Sequence, residues 1–299
     1  MSQVLFIGAG KIGTALAHVI GSRAAINLWD QDPAQAPSML PLAESVPLAD
    51  VIFLCTPSWT IRAIIEQIMP FLRPVTVIVS LAKGLEAETQ STMDTVLANL
   101  LPAVQPWGIL GGPLLADELT DELPGIGVFG SASRSAYLEI NKLFLGSNVR
   151  LEYSSDPHTI ALAAVLKNIY AVILGLASGL GWGYNGQGWL AARALGEMTE
   201  IVSQLGNDAT LIAGPAGAGD FLATAMSPDS HNRTAGQELA KTGRCTTTNE
   251  GCRSLPTIIT LLNNQLDQFP LLSALNQIVE QHAEAATIFH NLLTTPEIK

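Results

Sequence analysis

A lysine set in an apolar run is the first residue of this sequence that invites chemistry. Lys167 stands in Ala161-Leu162-Ala163-Ala164-Val165-Leu166-Lys167-Asn168-Ile169-Tyr170-Ala171, a stretch with helical spacing. An ammonium in such company loses hydration, which favours its neutral form. A lysine of that kind suits proton donation to a carbonyl oxygen. Asn168 adds a neutral hydrogen-bond donor beside it. The same pattern also fits a lysine that lays its stem over apolar surface. Lys83 lies in Ser80-Leu81-Ala82-Lys83-Gly84, after an expected strand. Ligands of open α/β sheets bind beyond the carboxyl ends of strands, and an ordinary loop lysine is the competing reading. Further on, Gly214-Pro215-Ala216-Gly217-Ala218-Gly219-Asp220 is a glycine-rich loop that ends in a carboxylate. No Lys-Ser or Lys-Thr follows, so it is not a phosphate loop. Thr224 comes next, then Ser230-His231-Asn232-Arg233. Hydroxyl, imidazole, amide and guanidinium together can nest a phosphate; a capped helix start is the plainer alternative.

A second pattern opens the chain. A short apolar run, residues 4–7, leads into Gly8-Ala9-Gly10-Lys11-Ile12-Gly13. In that spacing the first glycine makes a tight turn and the second lets a diphosphate approach the backbone. The third lets the following helix pack on the strand. The free N–H groups and positive dipole end of that helix favour the anion. The motif follows a strand and opens a helix, the context a dinucleotide site requires. Asp30 ends the second expected strand, where a carboxylate can accept both ribose hydroxyls and repel a 2′-phosphate. NAD is therefore favoured, with NADP possible, and Asp32 competes for the role.

These residues need a frame. Strands are expected at residues 4–7, 25–29, 51–55, 75–80 and 107–111, with 125–130 continuing the sheet. Helices are expected at residues 11–22, 61–71 and 89–101. Strands alternating with helices imply βαβ units and a mostly parallel sheet. From Asp156 onward no β run is convincing. Asp156-Pro157 is a good helix start, with a capping carboxylate and proline in the first turn. Helices follow to about residue 178 and at 188–205, 207–213, 234–242, 254–264 and 270–280. The expected fold is α/β: a Rossmann-like doubly wound sheet in residues 1–153, then an all-α domain in residues 154–299 that binds substrate and carries catalysis.

The chain has 299 residues, 48% of them hydrophobic and 14% charged, which is ample for a buried core and excludes disorder. Its net charge of −11 argues against nucleic acid or an anionic membrane as the main partner. The three cysteines, Cys55, Cys245 and Cys252, form no CxxC pair, and a reducing, cytoplasmic setting is expected. No His/Cys/Asp set has metal-ligand spacing. No basic leader precedes the first apolar run. The most membrane-like stretch, residues 160–180, is interrupted by Lys167, so it reads as a buried helix rather than a span.

Taken in order along nearly the whole chain, these blocks resemble the bacterial-type NAD(P)-dependent glycerol-3-phosphate dehydrogenases. The shared blocks are the glycine turn, Ala82-Lys83-Gly84, Gly112-Pro113, Leu166-Lys167-Asn168, Gly179-Leu180-Gly181, Gly219-Asp220, Ser230-His231-Asn232-Arg233 and Glu250-Gly251. The resemblance implies reduction of dihydroxyacetone phosphate to sn-glycerol 3-phosphate, in the service of glycerophospholipid synthesis. It implies Lys167 as the proton donor, Lys83 as a carbonyl-polarising substrate ligand, and Asp220 as the group that orients Lys167. Thr224 would assist. Gly112, Asn168, Ser230, His231, Asn232 and Arg233 would join the substrate site. Gly8, Gly10, Lys11, Ile12, Gly13, Asp30, Lys83, Ala116, His231 and Glu250 would line the cofactor. A homodimer is also implied.

The sequence departs from the family in places. Leu114 stands where the family has serine after Gly-Pro. His231 replaces an arginine, exchanging a permanent bidentate clamp for a ring mostly neutral at neutral pH. Asp30-Gln31 stands where a basic residue usually follows the second-strand tryptophan. These changes leave open a related two-domain reductase with another small oxo-acid or oxo-phosphate, or a dinucleotide-binding sensor without catalysis.

Overall fold

A computed structural model describes residues 1–86 and 88–294. The chain divides into two compact units, Met1–Leu162 and Ala163–Lys299. Among the described residues, the strands all lie in the first unit: β1 (Ser2–Ile7), β2 (Ala24–Trp29), β3 (Val51–Leu54), β4 (Val77–Ser80), β5 (Leu85–Glu86), β6 (Ser91–Thr92), β7 (Trp107–Gly111), β8 (Gly125–Gly130) and β9 (Val149–Ser154). They alternate with helices α1 (Lys11–Ile20), α2 (Leu42–Ser45), α3 (Ile61–Ile68), α4 (Met93–Leu100), α5 (Ala116–Thr120) and α6 (Arg134–Phe144). Then come α7 (Pro157–Gly179), α8 (Tyr184–Gln204), α9 (Asp220–Met226), α10 (His231–Thr242), α11 (Glu250–Leu261), α12 (Pro270–Val279) and α13 (Ala285–Thr294).

Seven strands form one sheet in the order β2-β1-β3-β4-β7-β8-β9. Every neighbouring pair is parallel except β7 with β8. β3 and β4 are buried along their whole length. That is the expected state of parallel strands covered on both faces, and their apolar runs reflect it. The core stacks Phe6 on Phe53 at 4.8 Å between ring centres, with Phe144 edge-on to Phe53 at 6.5 Å. The chain runs from β1 out to β2 and returns to β3 on the other side of β1, which makes a topological switch point.

The expected Rossmann-like sheet and helical second half are both present. Some boundaries differ. The helix expected from residue 89 begins only at Met93. Glu86 accepts both Arg62 Nε and Nη2 at 2.8 Å and the Thr89 hydroxyl at 2.5 Å. That capture turns the chain back into the β5–β6 hairpin. The helix expected at 207–213 is a 3₁₀ turn, Ala209–Ala213, capped by Asp208. α6, α9, α13 and β9 were not expected. β9 does carry a signal, since Val149, Leu151 and Tyr153 alternate with Arg150 and Glu152. The apolar stretch proposed as a core helix is α7. By length and composition it could cross a membrane, and its most apolar window lies entirely inside the fold.

One buried carboxylate organises the second unit. Glu197 of α8 accepts Tyr170 Oη at 2.9 Å and the N–H groups of Leu271 and Leu272 at 2.7 and 3.1 Å. It thereby caps the first turn of α12 from another helix, a place where a carboxylate also meets a positive dipole end. Burial pushes the Glu197 carboxyl up to about 7, against the pull of those three donors and of Arg193. A folded-state value above the unfolded one means that the folded chain holds the proton more tightly. The stabilisation is therefore complete below about pH 4.5 and is lost as pH rises toward about 7. Wild type is expected to lose roughly 3 kcal/mol relative to Glu197→Gln across that window. Urea unfolding of both proteins over a pH series reads it, and a pH-independent difference would refute it.

Candidate active site

The register of the first sheet assembles the glycine-turn cluster of the first unit. Ile7 pairs with Trp29 on one side and Leu54 on the other. Gly8, Asp30 and Cys55 therefore leave the carboxyl edge side by side. Gly8 N–H donates to Trp29 O and Cys55 N–H to Ile7 O, both at 2.8 Å. Gly8 has φ +103°, and a Cβ there would lie 2.7 Å from Cys55 O. A Cβ on Gly13 would lie 2.0 Å from Gly8 O. Those two glycines are required by the fold itself. Gly10 is different: it is exposed, and a Cβ there would meet no protein atom within 4 Å. Its open approach, at the N-terminus of α1, is what a dinucleotide diphosphate needs. The residues present thus fit a dinucleotide. Gly10→Ala is expected to leave unfolding free energy within about 0.5 kcal/mol. NADH binding should weaken by about tenfold or more. Denaturation and fluorescence titration check the two halves, and undiminished affinity would remove the diphosphate from Gly10.

The neighbours of this turn are held in place. Asp30 accepts Ala9 N–H on Oδ2 at 2.8 Å and Asp32 N–H on Oδ1 at 2.9 Å. Its carboxylate is thus pinned against the glycine turn, and each oxygen retains a second lone pair for a ligand hydroxyl. Lys11 pairs with Asp117 at 2.9 Å, an exposed contact. Ile12 and Ala116 pack against the sheet core. Lys83 is three residues beyond the end of β4, and its Nζ donates to Gly112 O at 3.3 Å. Leu114 is buried in the core beside Leu110, Leu119 and Leu151. The departure from serine therefore replaces a hydroxyl with a packed apolar group.

The second unit carries its own polar cluster, built on α7, α9 and α10. Lys167 is only 5% exposed, Asp220 1% and Thr224 4%. Lys167 Nζ donates to Thr224 Oγ1 at 2.6 Å and lies 3.1 Å from Asp220 Oδ1. Thr224 Oγ1 donates in turn to Asp220 Oδ1 at 3.3 Å. Asp220 opens α9, directly after a π-helical turn over Pro215–Gly219, and Thr224 follows one turn later on the same face. Burial disfavours the ammonium while the carboxylate favours it. The result is a buried amine with fixed direction, in a place where a hydrogen bond to a developing negative charge is strong.

Two amides from the expected substrate set do structural duty. Asn232 Nδ2 donates to Asn168 Oδ1 at 2.9 Å, and Asn232 Oδ1 accepts Gly251 N–H at 3.0 Å. This chain ties α7, α10 and α11 together in the interior. Ser230 caps α10 by accepting Arg233 N–H at 3.3 Å. Arg233 donates to Met226 O at 2.7 Å and to Ser178 Oγ at 3.4 Å. His231 is exposed at the first position of α10, and Glu250 is the first residue of α11. Sequence reasoning missed one titrating pair. His158 Nδ1 lies 2.8 Å from Asp94 Oδ2, and that hydrogen bond raises the imidazole above its usual range. Burial opposes the Asp94 charge, but His158 and Thr92 more than offset it. Among the described residues no cluster of His, Cys, Asp and Glu could hold a metal.

A glycine turn at a topological switch point, followed by a helical unit with a buried lysine–carboxylate pair, is the architecture of a nicotinamide-dependent oxidoreductase. The comparisons narrow the class. Residues 38–136 match the model of the NAD-dependent glycerol-3-phosphate dehydrogenase N-terminus, and residues 156–290 match that of its C-terminus. The chain belongs to the NAD-dependent glycerol-3-phosphate dehydrogenase family. A curated relative from Sphingopyxis alaskensis, named glycerol-3-phosphate dehydrogenase [NAD(P)+] 2, is 30% identical over 97% of this chain and 96% of its own length. Another from Geobacter metallireducens, glycerol-3-phosphate dehydrogenase [NAD(P)+], is 32% identical over 79% of this chain and 78% of its own. The crystal structure of glycerol-3-phosphate dehydrogenase from Coxiella burnetii superposes with a TM-score of 0.86 at 24% identity, covering 98% of this chain and 99% of that one.

Proposed function

We propose that the chain interconverts dihydroxyacetone phosphate and sn-glycerol 3-phosphate with a nicotinamide cofactor. The observation that carries this reading is the buried Lys167–Thr224–Asp220 cluster within the segment that matches the family's C-terminal model. When bound, the reduced nicotinamide supplies a hydride to the substrate carbonyl carbon. Lys167 donates a proton to the carbonyl oxygen and takes it back from the alcohol in reverse. Asp220 holds Lys167 in direction and keeps a positive charge stable in a dry site. Thr224 completes that support. Lys83 polarises the carbonyl and steadies the substrate. Ser230, His231, Asn232 and Arg233 flank the phosphate, with Gly112 and Asn168 in supporting positions. Gly8, Gly10, Lys11, Ile12, Gly13, Asp30, Ala116, His231 and Glu250 hold the cofactor. Asp30 favours NAD over NADP, because its carboxylate repels a 2′-phosphate.

The helical domain that carries catalysis is proposed to begin at about residue 154. The working form is proposed to be a cytoplasmic homodimer that supplies glycerophospholipid synthesis, as the family resemblance implies. The test follows NADH absorbance with dihydroxyacetone phosphate in the assay and repeats it with NADPH. Oxidation that needs the substrate supports the reading. Bound NADH with no oxidation overturns it and directs attention to His231 and a different oxo-substrate.

A further inference from the structure

We propose that Trp59 is a stacking platform for the nicotinamide ring of the cofactor. The assignment rests on the dinucleotide site proposed above and adds a residue outside the set that the family resemblance implies. Of the five tryptophans, Trp59 alone is exposed, with 45% of its surface open to solvent. A large aromatic left open in this way forgoes burial that would stabilise the fold. Its place in the sheet gives the exposure a use. Ile7 pairs with Leu54, so the end of β3 emerges beside the glycine turn. A Cβ on Gly8 would lie 2.8 Å from Thr56 Cγ2, so the segment after β3 abuts that turn. Trp59 follows shortly after, in the middle of a 3₁₀ turn, Ser58–Thr60.

The turn that carries Trp59 is anchored on both sides. Ser58 and Ile61 are buried, and Ile61 N–H donates to Ser58 O. Thr60 N–H and the Thr60 hydroxyl both donate to Pro57 O, at 3.0 and 2.8 Å. Thr60 Oγ1 also shares a 2.9 Å hydrogen bond with Thr56 Oγ1. A platform whose backbone is already ordered loses little entropy when a ligand settles on it. Topology then selects the ring. β2 and β3 flank β1 on opposite sides. In the proposed site Asp30, at the end of β2, takes the adenosine ribose, and the diphosphate lies at Gly10 and the start of α1. A dinucleotide extended across the carboxyl edge carries its nicotinamide half to the β3 side, where Trp59 stands. The oxidised ring is a planar cation, and an indole face attracts such a ring through its quadrupole as well as by contact.

Calorimetry on the full chain compares NAD⁺ with ADP-ribose, which has every part of the cofactor except the nicotinamide ring. Trp59→Ala should weaken NAD⁺ binding by about tenfold, the weight of one stacked heterocycle. The same variant should bind ADP-ribose within about twofold of wild type, since the glycine turn is untouched. Trp59→Phe keeps an aromatic face and should recover most of the NAD⁺ affinity. Unchanged NAD⁺ affinity in Trp59→Ala overturns the proposal. An equal loss for both ligands also overturns it, because the effect would then come through the turn rather than through the ring. Wild type that binds neither ligand would overturn the dinucleotide site itself, and the proposal with it.

Discussion

Lys167→Ala is expected to lower turnover of dihydroxyacetone phosphate by about 10²–10⁴-fold, the usual weight of a positioned proton donor. NADH should still bind, because the glycine turn belongs to the first unit and makes no use of this lysine. The substitution has a structural cost as well. It leaves the 1%-exposed carboxylate of Asp220 without its ammonium. Removing one partner of a buried ion pair costs about 3–5 kcal/mol. Unfolding must therefore be measured beside turnover, at a temperature where the variant is fully folded. Asp220→Asn supplies the second reading: it preserves volume, keeps Lys167 as a donor and removes the charge that fixes its direction. A smaller fall in turnover than for Lys167→Ala separates the positioning role from the proton-transfer role. Turnover within tenfold of wild type for a folded Lys167→Ala would take the proton donor away from this residue.

Gly236→Ala is expected to be among the most destabilising single methyl additions in the second unit. α10 crosses α7 with backbone against backbone. A Cβ on Gly236 would sit 2.1 Å from Val172 O and 2.6 Å from Leu176 N. The facing glycine is equally constrained, since a Cβ on Gly175 would sit 2.2 Å from Arg233 O. No side-chain rotation relieves a clash with main chain, so the helices must separate. Overpacking of this kind costs about 3 kcal/mol or more. Separation would also stretch the Asn232–Asn168 hydrogen bond, which lies on the same two helices and next to Lys167. Gly188→Ala, at an exposed position of α8, is the control, because a Cβ there meets no atom within 4 Å. It should stabilise by about 0.5–1 kcal/mol, as alanine does in a helix. Urea unfolding of both variants tests the pair. Equal effects would mean that the crossing tolerates a methyl group.

What the chain states locally was legible in it. The turn from Gly8 to Gly13 follows a strand and opens a helix, and both are present, with Gly8 in the tight turn and Gly13 at the close helix–strand contact that their spacing implied. Asp156-Pro157 starts α7, with Asp156 accepting Thr159 N–H at 2.9 Å. The strands with continuous apolar runs were found because burial on both faces writes itself into every residue. The edge strand β9 was missed because Arg150 and Glu152 interrupt its apolar residues. α6 was missed although Ser133 caps it by accepting Ala136 N–H. The β5–β6 hairpin was hidden because an arginine from α3 decides it.

The site shows the same division. The sequence by itself determined which groups could act: a lysine in an apolar helix, a carboxylate after a glycine loop, and a glycine turn for an anion. Only the tertiary structure decided that Lys167 meets Asp220 and Thr224, more than fifty residues away, and that Asn168 and Asn232 bond to each other. It alone made Glu197 a remote cap. Backbone turns and periodicities depend on neighbours along the chain, and so are readable from it. The partner of a buried polar group is chosen by which helices pack together, and that choice is made by the whole core at once.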